Sequence, residues 1–166
     1  NRPFRTADGQ LDVPAMNRHM IEAWNSRVTD DDLVIHGGDF GMGSWKEWAG
    51  FRAQLNGRLL LVKGNHDRKL EHWLKPGDVA VDYFYTRDGY FITHVPPHYG
   101  DHAQRYGELP IWNVPLEAHT ILCGHVHNSW AQTEVNLDGR KIKCYNIGVD
   151  VRGYVPLTLE EILEQR

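Results

Sequence analysis

The chain has 166 residues, a length that suits one domain with its own hydrophobic core. Its composition, 41% hydrophobic and 24% charged, is typical of soluble globular proteins, and no apolar run is long enough to span a bilayer. A net charge of -4 argues against sequence-independent binding to nucleic acid or to an anionic membrane. Nucleic acid is therefore expected as a partner only if it is a substrate, and no oligomeric state is indicated.

The first predicted elements are a helix and a short strand. Residues 1–11 are polar and predict a loop, and Pro14 suits the first turn of a helix that ends near Ser26. One face of this helix is apolar, formed by Met16, Met20, Ile21 and Trp24. The apolar run at 33–35 then predicts a short buried strand.

A second helix and a second strand follow. Ser44 and Glu47 have the Ser-x-x-Glu spacing of a capping box, which predicts a helix that stops at 56–57. Its inward residues are expected to be Trp48, Phe51 and Leu55. An apolar run predicts a buried strand up to Lys63, and 69–74 predicts a short helical turn.

The second half of the chain is dominated by hairpins. Residues 79–86 and 90–93 flank an Asp-Gly turn and predict one hairpin, and 133–137 with 141–147 predicts another. A buried strand is predicted at 120–123, and a capping box at 158–161 opens a last helix. The irregular stretch at 95–115 is either functional or a disordered insertion. These elements predict a mixed α/β protein.

The two cysteines, Cys123 and Cys144, lie in apolar or alternating stretches. Buried free thiols are expected there rather than a disulfide, which favours a reducing, cytoplasmic location. The absence of a Cys-x-x-Cys pair excludes a sulfur-rich zinc site.

Polar residues that can bind metal follow four of the predicted strands. They lie at 38–39 (Gly-Asp), 64–67 (Gly-Asn-His-Asp), 93–94 (Thr-His) and 124–127 (Gly-His-Val-His). Each motif alone can be a polar turn or an ordinary surface histidine. Together at neighbouring strand ends, their imidazole, carboxylate and amide groups can converge on Zn, Fe, Ni or Mn. A carboxylate such as that of Asp39 can bridge two ions about 3.5–4 Å apart, the spacing of two-metal hydrolases.

In these motifs and their order the sequence resembles the calcineurin-like metallophosphoesterases, and in particular their small bacterial and phage-type members. The resemblance runs from Asn1 to the last helix and includes 59–67, 124–127 and 146–150. It implies a four-layer α/β/β/α sandwich with two divalent transition metal ions at the sheet edge. Asp39 would bridge the ions, and one site would be completed by Asn65, His94 and His125. His127 would belong to the other site.

The resemblance also implies roles next to the metals. His66 would steady the phosphoryl oxygen or protonate the leaving group. Arg68 directly follows the central motif and could donate to the substrate phosphate, or it is a solvated loop residue. His98, His102 and Trp130 are near the motifs in sequence but have no assigned role.

The chain departs from the family pattern in two places. The family's first motif, Asp-x-His at the end of the first strand, is absent and is expected to lie before Asn1. The single domain, 1–166, is therefore expected to lack its first strand. Met42 also occupies the place where the family often has a second aspartate, which leaves the orientation of His66 open.

The predicted function is metal-dependent hydrolysis of a phosphoric ester by a metal-activated hydroxide. The substrate class, monoester or diester, is left open. The alternative is a catalytically weak or inactive metal-binding scaffold of the same fold that binds other proteins. A serine hydrolase is disfavoured because no Gly-x-Ser-x-Gly turn is present.

Overall fold

The computed structural model describes residues 4–97 and 114–165. In this part of the chain the α-helices are α1 (Val13–Asn25), α2 (Trp45–Gln54) and α3 (Leu159–Glu164). Short 3₁₀ helices span Leu70–His72 and Val149–Val151. The strands are β1 (Leu33–His36), β2 (Arg58–Val62), β3 (Val79–Val81), β4 (Tyr83–Tyr85), β5 (Tyr90–Thr93), β6 (Thr120–Cys123), β7 (Gln132–Leu137) and β8 (Arg140–Asn146).

These strands form two sheets. The first has the order β1-β2-β3, and all of its strands are parallel. The second has the order β4-β5-β6-β8-β7, in which β5, β6 and β8 are parallel and both outer strands are antiparallel to their neighbours. The mixed α/β class predicted from the sequence is confirmed.

The expected single strand at 79–86 is wrong, because the chain changes sheets within it. Val79 to Val81 pairs in parallel with β2, whereas Tyr83 to Tyr85 pairs antiparallel with β5. Asp82 lies at the break, where its carboxylate pairs with the Lys63 ammonium at 2.6 Å. The predicted hairpin is thus confined to β4 and β5.

The expectation that 33–35 forms a buried strand is also wrong. In the described structure β1 is the outer strand of the first sheet and pairs only with β2. Leu33 is 54% exposed and Ile35 is 38% exposed. The neighbouring helix α1 has no buried residue, so the apolar face predicted for it is only partly covered.

The two faces of β2 pack into different parts of the core. Leu59 and Leu61 pack with Trp48 and Trp73 on the helical side of the first sheet. Val62 instead shares a cluster with residues of the second sheet, namely Ile92, Leu122 and Tyr145. This alternation follows from the period of two along a strand, and it places the two sheets face to face.

The opposite face of the second sheet holds a third cluster, which includes Phe91, Ile121, Cys123 and Cys144. Both cysteines are buried and free, as predicted, with their sulfurs 3.6 Å apart. Burial raises the pKa of the Cys123 thiol well above its ordinary value. The thiols therefore act as apolar packing groups.

A buried ion pair fixes α2 against the strands. Arg52 is fully buried and donates through Nε and Nη2 to the carboxylate of Asp78, at 2.8 and 2.7 Å. The sequence reading placed Trp48, Phe51 and Leu55 inward. Trp48 and Leu55 are buried, but Phe51 is only half-buried, and Arg52 was not expected in the core.

The helix starts follow the predicted capping chemistry. Capping boxes are present at Ser44 with Glu47 and at Thr158 with Glu161. The Asp12 carboxylate accepts the Ala15 N–H at 2.9 Å and caps α1. None of the described helices is long and apolar enough to cross a bilayer.

Candidate metal centre

The polar motifs lie where the sequence predicted them, directly after strands. Asp39 follows β1, Asn65 follows β2, His94 follows β5 and His125 follows β6. Because β1 and β2 are parallel, and β5 and β6 are parallel, each pair of loops leaves its sheet at the same edge. The two sheets bring these edges together.

Side-chain atoms of these four residues converge on one point. His94 Nε2 lies 3.3 Å from Asp39 Oδ2, 3.2 Å from Asn65 Oδ1 and 3.2 Å from His125 Nδ1. Asn65 Oδ1 lies 3.1 Å from His125 Nδ1. The ligand atoms of Asp39, His94 and His125 all lie within 4.8 Å of one another, the one such group of acidic and histidine side chains in the described residues.

The backbone sets the tautomer of His94. Its Nδ1 lies 2.7 Å from the carbonyl oxygen of Gly37. A carbonyl can only accept, so Nδ1 carries the hydrogen and donates it. In the neutral ring the lone pair is then on Nε2, the nitrogen that faces the other three side chains. A hydrogen bond of this kind commonly orients a histidine that binds metal.

The donor set of this cluster fits a cation. A carboxylate oxygen, an amide oxygen and the lone pair of His94 face one another, and of the four atoms only His125 Nδ1 can carry a hydrogen to share. Adjacent ligands at about 2.0–2.1 Å from a metal lie about 2.8–3.0 Å apart in octahedral geometry and about 3.3–3.4 Å apart in tetrahedral geometry. The separations of 3.1–3.3 Å between neighbouring atoms of the cluster lie between the octahedral spacing and the upper end of the tetrahedral one.

Asp39 is held as a carboxylate. Burial alone would raise its pKa, but the adjacent His94 ring, the backbone N–H of His66 and the His66 ring together lower the pKa below its ordinary value. The His66 N–H donates to Asp39 Oδ1 at 2.9 Å, which leaves Oδ2 facing His94. A negative charge is thus fixed at the cluster.

His36, the last residue of β1, holds the loop that carries Asp39 through a side-chain hydrogen bond. Its Nδ1 accepts the Gly38 N–H at 3.1 Å. Burial lowers the pKa of His36, so the ring is neutral near pH 7 and can accept this bond. The sequence reading gave His36 no role, although its position at a strand end was visible.

Asp67 joins the loops that carry two of the clustered residues. Its carboxylate accepts the N–H groups of Asp39 at 2.8 Å, Phe40 at 2.9 Å and Gly64 at 2.8 Å. The loop after β1 and the loop after β2 are therefore tied to one carboxylate. The sequence analysis included Asp67 in the central motif but did not predict this link. Two of its three partners, Asp39 and Phe40, lie more than two dozen residues upstream, and no local pattern indicates such a contact.

Two glycines leave room for the cluster. A Cβ on Gly64 would overlap the Asp39 carboxylate and lie 2.5 Å from the Asp39 nitrogen. A Cβ on Gly38 would lie 2.5 Å from His94 Nδ1, and Gly38 also has a φ of +92°. Only glycine allows this close approach of backbone and side chains.

Three of the six described non-glycine residues with a positive φ are candidate site residues. Asp39, His125 and His127 have φ values of +54°, +65° and +48°. Left-handed conformations are costly for residues other than glycine, and they persist where the surrounding structure enforces them, often at functional sites. The loops after β1 and β6 thus hold strained backbone, which also occurs at Lys69, Asp138 and Tyr154.

The other predicted site residues lie around the cluster. The imidazole of His66 is half-buried and close enough to lower the pKa of Asp39. The side chain of Arg68 is exposed, and its backbone carbonyl accepts the Trp73 indole N–H at 2.9 Å. Trp130 packs against the outer core of the second sheet. His98 and His102 lie outside the described residues.

His127 is not part of the ligand group that Asp39, His94 and His125 form. Its side chain is 71% exposed, and Nδ1 lies 3.2 Å from Oδ2 of Asp150. Asp150 lies four residues after the end of β8, and the sequence analysis assigned it no role. Its 23-residue separation from His127 gave no local signal for the contact.

Comparisons with known proteins give a fold but no activity. No protein-family model matches the chain. The chain is 27% identical over 168 residues to the uncharacterized protein MJ1445 of Methanocaldococcus jannaschii, with 99% of this chain and 79% of the relative covered. It is also similar to the crystal structure of AQ665, a protein of unknown function from Aquifex aeolicus. The TM-score is 0.58 at 21% identity, over 95% of this chain and 87% of the other, which indicates a shared fold.

Proposed function

We propose that this chain is a metal-dependent phosphoric ester hydrolase of the calcineurin-like metallophosphoesterase type. The observation that carries the proposal is the convergence of Asp39, Asn65, His94 and His125: four pairs of their facing atoms lie 3.1–3.3 Å apart, and the four atoms have one possible shared hydrogen among them. Such a set is poorly satisfied by hydrogen bonds alone and well satisfied by a divalent cation.

Asp39, Asn65, His94 and His125 would hold a divalent transition metal ion, Mn, Fe, Zn or Ni. When bound, such an ion neutralises charge on phosphate oxygens and lowers the pKa of water. Mixed oxygen and nitrogen ligands suit this group of metals. The second ion of the proposed type would share Asp39 and be bound by His127.

His66 and Arg68 are proposed to contact the substrate and not the metal. His66 is the proposed catalytic residue because its half-buried ring lies beside Asp39 without being one of the four converging ligands. A histidine there can steady a phosphoryl oxygen or give a proton to the leaving group. Arg68 is exposed, and its forked guanidinium can bind a phosphate that approaches from solvent.

The finer architecture is part of the same proposal. A four-layer α/β/β/α sandwich is supported by the shared cluster of Val62 with Ile92 and Leu122 between the sheets. It is further supported by the packing of Leu59 and Leu61 against Trp48 on the helical side. These contacts account for three layers, namely the helical side that contains α2, the first sheet and the second sheet.

The test measures bound metal and hydrolysis together. Protein loaded with Mn²⁺ is analysed for metal content and assayed with bis(p-nitrophenyl) phosphate and p-nitrophenyl phosphate. Wild type is expected to bind the ion and hydrolyse at least one ester. Asp39→Asn and His94→Ala are expected to lose most of both.

Asp138→Asn is the matched control, since Asp138 is exposed in the turn between β7 and β8. It is expected to behave as wild type. Wild type that binds Mn²⁺ without hydrolysing either ester would favour the scaffold alternative. Wild type that binds no divalent metal would overturn the proposal.

A further inference from the structure

We propose that Asp150 is a positioning residue for His127: its carboxylate accepts the Nδ1–H of the ring and leaves the lone pair on Nε2 to bind a cation. The inference rests on the proposed function, and it adds a residue that neither the motifs nor the relatives assign. The contact that carries it is the 3.2 Å separation between His127 Nδ1 and Asp150 Oδ2.

His127 needs an external group to fix its ring. Its side chain is 71% exposed, whereas the Asp150 carboxylate is only 21% exposed. A side chain with so little packing can adopt several rotamers and either tautomer, and both freedoms weaken metal binding. A carboxylate that accepts one ring N–H removes both, as it does for many metal-binding histidines.

The carboxylate is itself held in place. Tyr154 donates its hydroxyl hydrogen to Asp150 Oδ1 at 3.4 Å, which leaves Oδ2 for His127. Tyr154 has a φ of +64°, and Asp150 lies within the 3₁₀ helix Val149–Val151. The acceptor is therefore part of a defined turn and not a mobile surface group.

Buried polar contacts tie the two partner segments together. Asn146 is fully buried, and its amide donates to the carbonyl oxygens of His127 at 2.6 Å and Trp130 at 2.8 Å. The Asn146 Oδ1 atom accepts the Gly148 N–H at 2.8 Å. One side chain thus sets the backbone of His127 and the start of the turn that carries Asp150.

Arg152 adds a second tie on the other side of the turn. It is 5% exposed and donates to the carbonyl oxygens of Asn146 at 2.7 Å and Ala131 at 3.0 Å. Together, Asn146 and Arg152 restrict the relative movement of the segment that carries His127 and the turn that carries Asp150. The pairing of His127 with Asp150 is thus built into the fold at the end of β8.

The experiment reads the tautomer directly. Protein with nitrogen-15 in its histidines is studied by NMR at about pH 8, where an ordinary imidazole is neutral. His127→Ala identifies the two ring signals. Wild type is expected to show a protonated Nδ1 and an unprotonated Nε2 on His127, and Asp150→Ala is expected to lose this preference. Asp150→Glu, which keeps the carboxylate, is expected to restore it at least in part.

A Zn²⁺ titration of the same samples supplies the second readout. The His127 Nε2 signal of wild type is expected to shift on Zn²⁺ binding. Asp150→Ala is expected to need about 10–100-fold more Zn²⁺, the usual loss when the group behind a histidine ligand is removed. Glu134→Ala, which removes an exposed carboxylate that pairs with Lys141 on β7 and β8, serves as the control and should leave both readouts unchanged.

Two results would overturn the inference: a wild-type His127 with its hydrogen mainly on Nε2, or an Asp150→Ala protein with an unchanged tautomer and unchanged Zn²⁺ response. Failure of the proposed function is a separate result. It would appear as missing hydrolysis or missing metal at Asp39 and His94, whereas the tautomer of His127 is measured before any metal is added.

Discussion

The carboxylate of Asp67 accepts the backbone N–H of Asp39 at 2.8 Å and so joins two loops that leave neighbouring parallel strands. The same carboxylate accepts the N–H groups of Phe40 and Gly64. The position of Asp39 in the cluster therefore depends on a residue that does not face the cluster itself.

Asp67→Asn is expected to weaken both stability and metal binding. An amide has one acceptor oxygen in place of two, so at least one of the three N–H donors loses its partner. Hydrogen bonds to charged groups contribute about 1.5–3 kcal/mol each, so we expect a loss of about 2 kcal/mol in the free energy of unfolding. Urea unfolding and a Zn²⁺ titration measure the two effects.

Asp67→Asn is expected to lower cation affinity about tenfold, as is usual when a residue that orients a metal ligand is changed. Asp138→Asn makes the same chemical change in an exposed turn and should alter neither quantity. An Asp67→Asn protein that binds Zn²⁺ as tightly as wild type would show that the link between the loops is dispensable.

Gly64→Ala is expected to lower cation affinity at least tenfold, because its Cβ would overlap the Asp39 carboxylate and push it from its present position. Gly50→Ala is the matched control, since a Cβ there meets no atom within 4 Å and Gly50 lies inside α2. That change should leave cation binding intact and stabilise the helix by about 0.5–1 kcal/mol. Equal metal binding by the two variants would refute the steric argument.

His66→Ala is expected to reduce turnover while metal content stays near that of wild type. Acid–base or electrostatic help from one side chain typically contributes about 10²–10⁴ in rate. The assay compares kcat and bound Mn²⁺ in the same preparation. His72→Ala serves as the control, because His72 stacks on Trp45 in the 3₁₀ helix Leu70–His72. Parallel loss of metal and activity in His66→Ala would instead make His66 a ligand or a structural support.

The ion pair of Arg52 with Asp78 predicts a pH dependence of stability. Burial of Asp78 would raise its pKa, but the Arg52 guanidinium and the N–H groups of Lys75 and Leu59 outweigh burial and lower it. The folded-state pKa thus lies below the value of about 3.9 expected in the unfolded chain. The contribution of the ionised Asp78 is present above about pH 4 and is lost as the pH falls through the folded-state pKa.

Asp78→Asn tests this dependence. At pH 7 it leaves the buried Arg52 without its counter-charge, which costs about 3–5 kcal/mol. The difference in unfolding free energy between wild type and variant should shrink when urea unfolding is repeated below about pH 4. Glu134→Gln, at an exposed ion pair, should show little effect at either pH. A difference that is constant with pH would mean that Asp78 does not titrate in this way.

Much of the fold and the location of the candidate site could be predicted from the sequence, because the deciding interactions are local. Apolar runs mark β2 and β6, a hairpin pattern around an Asp-Gly turn marks β5, and capping boxes mark the starts of α2 and α3. Asn65, His94 and His125 each follow one of these strands by three residues or fewer. Parallel pairing brings His94 and His125 to one edge of the second sheet and places Asn65 beside Asp39 at one edge of the first, and the packing of the two sheets joins these edges.

Contacts between distant segments decided the rest. Leu33 and Ile35 are apolar, but the strand order leaves them exposed at an edge. The strand at 79–86 is broken because its halves pair with different sheets, and Arg52 is buried because Asp78 reaches it from 26 residues away. The pairing of His127 with Asp150 likewise needs β6 and β8 side by side. Sequence periodicity reports which residues are apolar or polar, and only the packed chain determines which groups meet.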